Sequence, residues 1–433
     1  MSNSHLGALL GAGCVLLAVV GAVQAGGFSR GNADTDILFD SGNFNMRAGV
    51  TYVAPHREFD KSPVAGLLGT SYTEDYAIPS AAAKFNLADS FRCAGTMVDN
   101  NGGSARYAVP KLSGKLIEEF TTNEKALTCG VKFQAGQGNF WLLGGGFMED
   151  FRYHRENALG SLPGPTGPVA LSNINLNLDG KEYGYRIGAA YEIPDIALRA
   201  QVMYRSGTSY GATGSVVMPA AALFAAQAKS LQAQAEAALA AGNVAQAQQF
   251  GAAAQQALQQ ALGAAAAGID QEYDAIGVGN LPQSVEFKLQ SGIAPGWLAF
   301  GAVKWTDWSV QKELLVRTAN PMIGSEDIYN WRDGWTVTGG VGHAFSDRVS
   351  GLVSLTWDRG VATGWDLSSD SYTLVLGGLV KDSLGGELRG GVGFSYLAAA
   401  HETQYFGADG EDLNQSVKAG YAVALNLGYN IRW

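Results

Sequence analysis

The chain has 433 residues, 58 of them Gly, with 9 Trp, 17 Tyr and only 16 % charged side chains, a mix that suits many glycine-rich, aromatic-flanked strands better than a helical enzyme. The formal charge of −10 argues against nucleic acid as a partner. Beyond the N-terminus no apolar run reaches the roughly 18 residues a membrane helix needs, so a crossing of a bilayer would have to be made by strands.

Leu6 to Val23 is the one continuous apolar stretch, and Val23-Gln24-Ala25 sets small residues where a signal peptidase reads them. Residues 1–25 are therefore expected to be a signal peptide cleaved after Ala25, even though Met1 to His5 carries no Lys or Arg. Cys14 inside the apolar run matches a lipoprotein signal poorly. The next segment, 26–43, is too polar and glycine-rich to face lipid, and is expected to lie inside the wall built by the strands C-terminal to it.

Segments of period two, bounded by turn signals, are predicted at 44–54, 74–87, 90–98, 126–135, 139–151, 181–193, 196–206, 283–293, 297–308, 332–344, 349–358, 371–380, 386–397 and 417–433, an even total of 14. Many carry charge at alternate sites. Arg186 and Glu192 sit between tyrosines, Arg199 and Arg205 between Leu198, Val202 and Tyr204, Glu286 and Lys288 between Val285, Phe287 and Leu289, and Glu387 and Arg389 flank Leu388. Such residues are hard to place in a dry core and fit a water-containing lumen.

Short connectors recur at Leu87-Ala88-Asp89, Ala135 to Gly138, Pro194-Asp195, Ala294-Pro295-Gly296, Phe345-Ser346-Asp347 and Lys381 to Gly385, with longer polar stretches between them. Tight turns on one rim and long loops on the other are the pattern of outer-membrane barrels. Between the strands ending near Ser206 and starting near Gln283, residues 219–268 form an Ala- and Gln-rich insertion with apolar residues at helical spacing: Phe224, Leu231, Ala235 and Leu239, then Phe250, Ala254, Leu258 and Leu262. Gly242-Asn243 interrupts it, so a two-helix hairpin on the outer face is expected.

The last segment is the clearest. From Val417 to Trp433 every second residue is apolar, and the residues between are small or polar. A strand with one oily and one wet face, ending on an aromatic residue, closes a barrel against lipid and offers a signal to the barrel-assembly machinery. The fold expected is all-β, a transmembrane antiparallel barrel over 44–433 with both termini on the periplasmic rim. Cys93 and Cys129, the pair left after cleavage, fall on neighbouring antiparallel strands in an oxidising compartment, without a His or Cys cluster, and are expected to form a disulfide.

Three motifs add a resemblance. Leu281-Pro282 opens a strand, Lys304-Trp305-Thr306-Asp307-Trp308-Ser309 closes the next, and Asn330-Trp331-Arg332-Asp333-Gly334-Trp335 precedes another, followed by Trp357-Asp358 and the aromatic C-terminus. In order and spacing these resemble the FadL/TodX family of outer-membrane transporters for hydrophobic compounds, the long-chain fatty acid transport proteins, over about 150 residues. Upstream, Thr35-Asp36-Ile37-Leu38-Phe39 and Gly42-Asn43 sit where that family has its N-terminal hatch, without its Asn-Pro-Ala signature, and Asn101-Gly102-Gly103 and Tyr107 roughly resemble the Pro-Phe-Gly and Tyr of the third strand and its loop. The resemblance implies a 14-stranded barrel plugged by a small hatch, here 26–43, and passive uptake of an apolar ligand, a fatty acid or an aromatic hydrocarbon, with sideways release into the membrane near the third strand, where the cysteine pair also falls.

A dry groove for such a ligand is expected among the loop aromatics Tyr153, Trp331, Trp335, Trp365 and Tyr405, with Phe28 of the hatch beside it. A carboxylate on the ligand would need a cation, for which Arg47, Arg186, Arg199, Arg205, Lys288 and Arg389 are the lumen candidates. Asp34, Asp36 and Asp40 are expected to anchor the hatch to lumen arginines. Neither a cofactor nor a metal is implied: His56, His154, His343 and His401 are scattered, and Gly207-Thr208-Ser209-Tyr210-Gly211 matches a nucleophile elbow without the parallel α/β setting that motif requires. The competing readings are a structural or adhesive barrel whose helical hairpin binds a partner, a general porin, and a membrane hydrolase.

Overall fold

The computed structural model describes residues 26–164, 167–320, 323–383 and 385–433; the expected signal peptide over 1–25 lies outside the described residues. Alternation between lipid and lumen sets the strands. In chain order they are β1 Phe44–His56, β2 Tyr76–Ala88, β3 Phe91–Arg106, β4 Lys115–Ala135, β5 Gly138–Asn157, β6 Ile174–Ile193, β7 Leu198–Arg205 continued as Thr208–Pro219, β8 Asp270–Leu281 continued as Ser284–Ala294, β9 Trp297–Thr306 continued as Glu313–Thr318, β10 Gly324–Ile328 continued as Gly334–Ala344, β11 Val349–Asp358, β12 Ser371–Lys381, β13 Glu387–Leu397 and β14 Gly420–Arg432. Each pairs antiparallel with the next, and β14 pairs with β1 from Asn45↔Arg432 to His56↔Tyr421, so the sheet closes as a 14-stranded barrel. All six expected connectors join consecutive strands as the tight turns of one rim.

The burial pattern is inverted relative to a soluble protein. On β14 Tyr421, Leu425 and Leu427 are 57, 57 and 58 % exposed, whereas Ala422 and Ala424 between them are 1 and 3 % exposed. Phe394, Tyr396, Tyr372 and Leu374 continue the exposed face on neighbouring strands. Only acyl chains make that arrangement favourable.

Four differences from the sequence-based expectation have physical causes. First, the wall strand at the C-terminus starts at Gly420, not at 417. Ser416–Val417 pairs with Phe59–Lys61 and Ala400–His401 in a small outer sheet, and Val417 is buried with Phe59, Leu67 and Leu367. The chain enters the wall at a glycine because a Cβ on Gly420 would lie 2.2 Å from the His56 carbonyl oxygen.

Second, several strands run further outward than their alternation suggests. β4, β5 and β6 reach 21, 20 and 20 residues, about twice what a bilayer needs. The outer halves of β7 and β8 pair with each other from Thr208↔Leu281 to Pro219↔Asp270. They are rich in Gly and Ala and stand in water, so they lack the oily stripe.

Third, the insertion forms the expected hairpin, α1 Ala220–Ala240 and α2 Val244–Ala267, with the Asn243 side chain accepting the Gln246 N–H at 3.2 Å as an N-cap, but none of the apolar positions expected to pack it is fully buried. Its buried positions are alanines (Ala228, Ala238, Ala257, Ala261), while Leu239 at the tip is 59 % exposed. Small residues let the two helices approach closely where larger ones would hold them apart.

Fourth, the lumen charges do not face open water. Arg47, Lys84, Glu124, Glu149, Arg186, Arg199, Glu387 and Arg389 are all buried. The segment Gly26 to Asn43 occupies the lumen, and its 3-10 turn Thr35–Phe39 is entirely buried, with Ile37, Leu38 and Phe39 packed on Ala82, Ala94, Trp141 and Leu143.

Candidate ligand cavity and hatch

The hatch is held by charge. Arg47 on β1 donates to Asp34 at 2.6 Å and also to Asp40, clasping the segment at both ends of its turn. Asp36 lies 3.2 Å from Lys288 on β8 and 3.8 Å from Arg199 on β7. Lys84 on β2 donates to the carbonyls of Asp40 and Gly42 at 2.8 and 2.7 Å. Two of the three aspartates thus meet arginines directly, and the third is held chiefly by a lysine.

Beyond the hatch, β3 departs from regular pairing. Its ladder to β2 ends at Ser80↔Val98, and its register against β4 shifts by one residue between Asp99 and Asn101, leaving Asn100 as the extra residue of a bulge. The edge of β3 released from β2 is taken up by the hatch. Arg30 N–H donates to the Asn100 carbonyl at 2.9 Å, Gly31 N–H to that of Asp99 at 3.1 Å, and Gly102 N–H to that of Phe28 at 2.8 Å. The Arg30 guanidinium lies 4.2 Å from the ring centre of Tyr76 on β2. Below the bulge, Cys93 and Cys129 face each other across β3 and β4 and are joined by a disulfide.

On the extracellular side of the hatch lies a cavity of about 600 Å³. Phe28 forms its floor, with ring centres 4.4 Å from Phe120, 4.5 Å from Trp331, 5.6 Å from Tyr329 and 5.9 Å from Trp308. Phe151 and Tyr210, 4.8 Å apart, continue the apolar wall with Leu281 and Leu314. The outer loops roof it with Tyr72, Tyr107, Trp365, Leu367 and Tyr405.

Charged groups edge this space, and each cation is already engaged. Lys115 contacts Glu118 at 2.7 Å and Asp327 at 2.8 Å, and Lys111 lies 3.6 Å from Glu402. Arg57, buried, donates to the Leu367 carbonyl at 2.8 Å, the Ser369 hydroxyl at 2.8 Å and the Ala398 carbonyl. In the loops, burial pushes the carboxyls of Asp366 and Glu402 above their ordinary range, against the opposing pull of Lys111. Trp331 Nε1 donates to Asp366.

Of the residues expected at the ligand, Phe28, Tyr153, Trp331, Trp365 and Tyr405 line the cavity. Trp335 does not: it is 39 % exposed on the barrel exterior, among the lipid-facing side chains. Arg47, Arg186, Arg199 and Arg205 also lie outside the cavity lining. Arg186 and Arg205 pair with Glu124, and Arg205 also with Glu149, while Arg47 and Arg199 hold the hatch. Lys288 is bound to Asp36 and Glu286, and Arg389 to Glu387. Ser209 is a surface residue donating to Asn280 at 2.7 Å, with no base beside it among the described residues. Sequence reasoning missed Phe120, Phe151, Tyr210, Leu281, Leu314 and Tyr329; the aromatic density flanking Trp331 was the one local hint, since the others lie on separate strands.

Comparison with known proteins agrees with this geometry. The family model described as outer membrane protein transport protein (OMPP1/FadL/TodX) matches residues 121–350, a little over half the chain. No curated protein sequence matches it. Among solved structures, a Pseudomonas aeruginosa FadL homologue is 13 % identical with a TM-score of 0.66, covering 92 % of this chain and 91 % of that one. The Pseudomonas putida toluene transporter TodX is 11 % identical, TM-score 0.59, covering 97 and 98 %, and the Ralstonia pickettii toluene transporter TbuX is 10 % identical, TM-score 0.60, covering 96 and 97 %. The closed, hatch-filled barrel and the family match together establish that this chain belongs to the OMPP1/FadL/TodX family of transport proteins of the bacterial outer membrane.

Proposed function

We propose that the protein admits an uncharged hydrophobic molecule, of the size and chemistry of a substituted aromatic hydrocarbon, and releases it sideways into the membrane between β2 and β3. The observation that carries this reading is the position of Phe28: it floors the apolar cavity, and its own carbonyl is hydrogen-bonded to Gly102 on the edge of β3 that β2 leaves free. A ligand that displaces Phe28 pulls on the residues that occupy that edge.

Apolar lining supplies the affinity, since each CH₂ removed from water is worth about 0.8 kcal/mol. The charge around the cavity favours a neutral cargo over a fatty acid. Five acids line it (Glu118, Glu326, Asp327, Asp366, Glu402) against three cations, Arg57, Lys111 and Lys115. A carboxylate would have to break one of their existing contacts, whereas a neutral ring needs none. Two of the structurally similar proteins are named toluene transporters, in keeping with that cargo.

The test is uptake in a deletion strain carrying the gene on a plasmid, measured in parallel with a labelled monoaromatic hydrocarbon and a labelled long-chain fatty acid. Restoration of hydrocarbon uptake alone is expected. Restoration of fatty acid uptake alone overturns the choice of cargo, and no effect on either overturns the transport reading itself.

A further inference from the structure

β4, β5 and β6 rise side by side from the periplasmic turns at Ala135, Gly138 and Ile193. Over about the first ten residues, the length that crosses a bilayer, their outer face is apolar. Leu127, Leu142, Tyr185 and Ile187 are exposed there, and Tyr183 is 71 % exposed. Immediately above this oily face the outward side chains turn cationic: Lys125 on β4, Arg152 on β5 and Lys181 on β6. Neighbouring strands stand about 4.8 Å apart, so the three span about 10 Å of the wall.

The acids of the same face do not use up these cations. Asp99 on β3 accepts from the Asn123 amide at 2.8 Å. Asp150 on β5 is held by Lys125, whereas Lys181 reaches its other oxygen only at 3.7 Å, too far for a hydrogen bond. The charge of Arg152 also reaches Asp150, and Asp179 stands opposite Arg152 in the ladder, yet Arg152 makes no hydrogen bond or ion pair among the described residues. A guanidinium with five donors and an ammonium with three thus face outward at the edge of the bilayer. Other parts of this rim have the opposite character. On β1, β9 and β11 the aromatic rings at that level donate to acids, Tyr52 to Asp75, Trp305 to Asp333 at 3.0 Å and Trp357 to Asp370 at 3.1 Å.

We propose that Lys125, Arg152 and Lys181 hold the phosphate of one outer-leaflet lipid, a phosphorylated glycolipid, whose acyl chains lie on the tyrosine-bearing face below them. The two halves of the site match the two halves of such a molecule. An anionic headgroup at the aqueous edge is drawn to clustered Lys and Arg, and a guanidinium meets phosphate oxygens in pairs. The chains beneath it cover Tyr183, Leu127 and Ile187, which no protein element covers. Lys125 is opposite Met97, so the lipid flanks β3 on the side away from β2 and stays clear of the route between β2 and β3. The site therefore stands whichever cargo the barrel carries.

The test uses the full-length protein purified from outer membranes, stripped of lipid in mild detergent and titrated by native mass spectrometry. The probes are purified lipopolysaccharide, the same lipopolysaccharide with its phosphates removed enzymatically, phosphatidylglycerol, and inorganic phosphate. Intact lipopolysaccharide is expected to bind as a single molecule, and the dephosphorylated form at least about tenfold more weakly. Arg152→Gln combined with Lys181→Gln is expected to weaken the intact lipid to the same degree while the barrel keeps its folded migration in cold detergent gels, since both side chains are exposed. Equal affinity for the intact and dephosphorylated lipids overturns the proposal without recourse to any variant. Undiminished binding by the folded double variant overturns the assignment to these residues. Phosphatidylglycerol bound as tightly as lipopolysaccharide overturns the choice of a glycolipid, and inorganic phosphate bound as tightly overturns a lipid as the occupant.

Discussion

The side-chain amide of Asn100, the residue inserted at the β3 bulge, donates to the carboxylate of Glu149 on β5, which is wholly buried. Glu149 also accepts from Arg205, from Thr208 at 2.9 Å and from Tyr210 at 2.8 Å, so one carboxylate ties the bulge of β3 to β7 and to the wall of the cavity. Thr122 on β4 holds the other end of the Asn100 amide at 2.7 Å. The irregular backbone of β3 is thereby fixed from two neighbouring strands, as bulges at functional sites usually are.

Replacing Glu149 by Ala removes the acceptor of four donors and leaves Arg205 with Glu124 and the Ser206 carbonyl. The expected cost is about 3–5 kcal/mol, the range for breaking a buried ion pair. Loss of the heat-resistant band in detergent gels at a temperature where wild type keeps it checks this. Asn100→Ala, which empties the bulge without stranding a charge, is expected to lower stability far less while reducing hydrophobic uptake several-fold. Wild-type uptake by Asn100→Ala counts against a role for the bulge.

The hatch clasp gives a second prediction. Asp36 is 3 % exposed and sits among Lys288, Arg199 and, further off, Arg47. Asp36→Arg places a fourth cation in that cluster, and is expected to expel the turn Thr35–Phe39 from its place and raise the passive entry of a small hydrophilic dye severalfold. Asp34→Asn is expected to be mild, since Arg47 keeps Asp40. Equal permeability for wild type and Asp36→Arg contradicts the anchoring role.

The cysteine pair gives a third. A bond that closes a loop of 36 residues is worth about 2–4 kcal/mol, mostly through the unfolded chain. Cys93→Ser with Cys129→Ser is expected to lower the thermal midpoint while leaving uptake unchanged, because the pair lies where β3 is laddered on both sides, below the bulge. Non-reducing peptide mass spectrometry of wild type checks the bond directly; two alkylatable thiols sink it.

These features were unequally visible in the sequence. The lipid face of β14 is legible because acyl chains demand an apolar residue at every second position whatever the neighbour. The lumen charges were legible as charges, but their partners were not. Arg47 is answered by Asp34 and Asp40 and Arg205 by Glu149, 56 residues away, so cations that read as free for a ligand are engaged in holding the plug and the wall. Trp331 and Trp335 make the point within one motif: four residues apart, one is 3 % exposed in the cavity and the other 39 % exposed toward lipid, because the chain breaks from its strand between Ile328 and Gly334. The outer halves of β7 and β8 gave no alternating signal since water, not lipid, surrounds them.

The acids over the cavity yield the last prediction, in pH. Burial raises the carboxyls of Asp366 and Glu402 above the ordinary carboxylate range, so the folded cap binds their protons more readily than the unfolded chain does. The cap is therefore most stable below the unfolded pKa of these groups, and loses stability as pH rises from there through the raised folded values. A neutral ligand filling the cavity removes further water from both carboxyls and therefore favours their protonated forms. Its affinity is expected to increase as pH falls from neutral into the carboxylate range, as read by quenching of tryptophan fluorescence, to which Trp331 beside Asp366 contributes. Asp366→Asn, which keeps an acceptor for the Trp331 N–H, is expected to flatten part of this dependence and to raise affinity at neutral pH. A pH-independent affinity in wild type, or an unchanged slope in Asp366→Asn, contradicts the assignment of these acids to the ligand space.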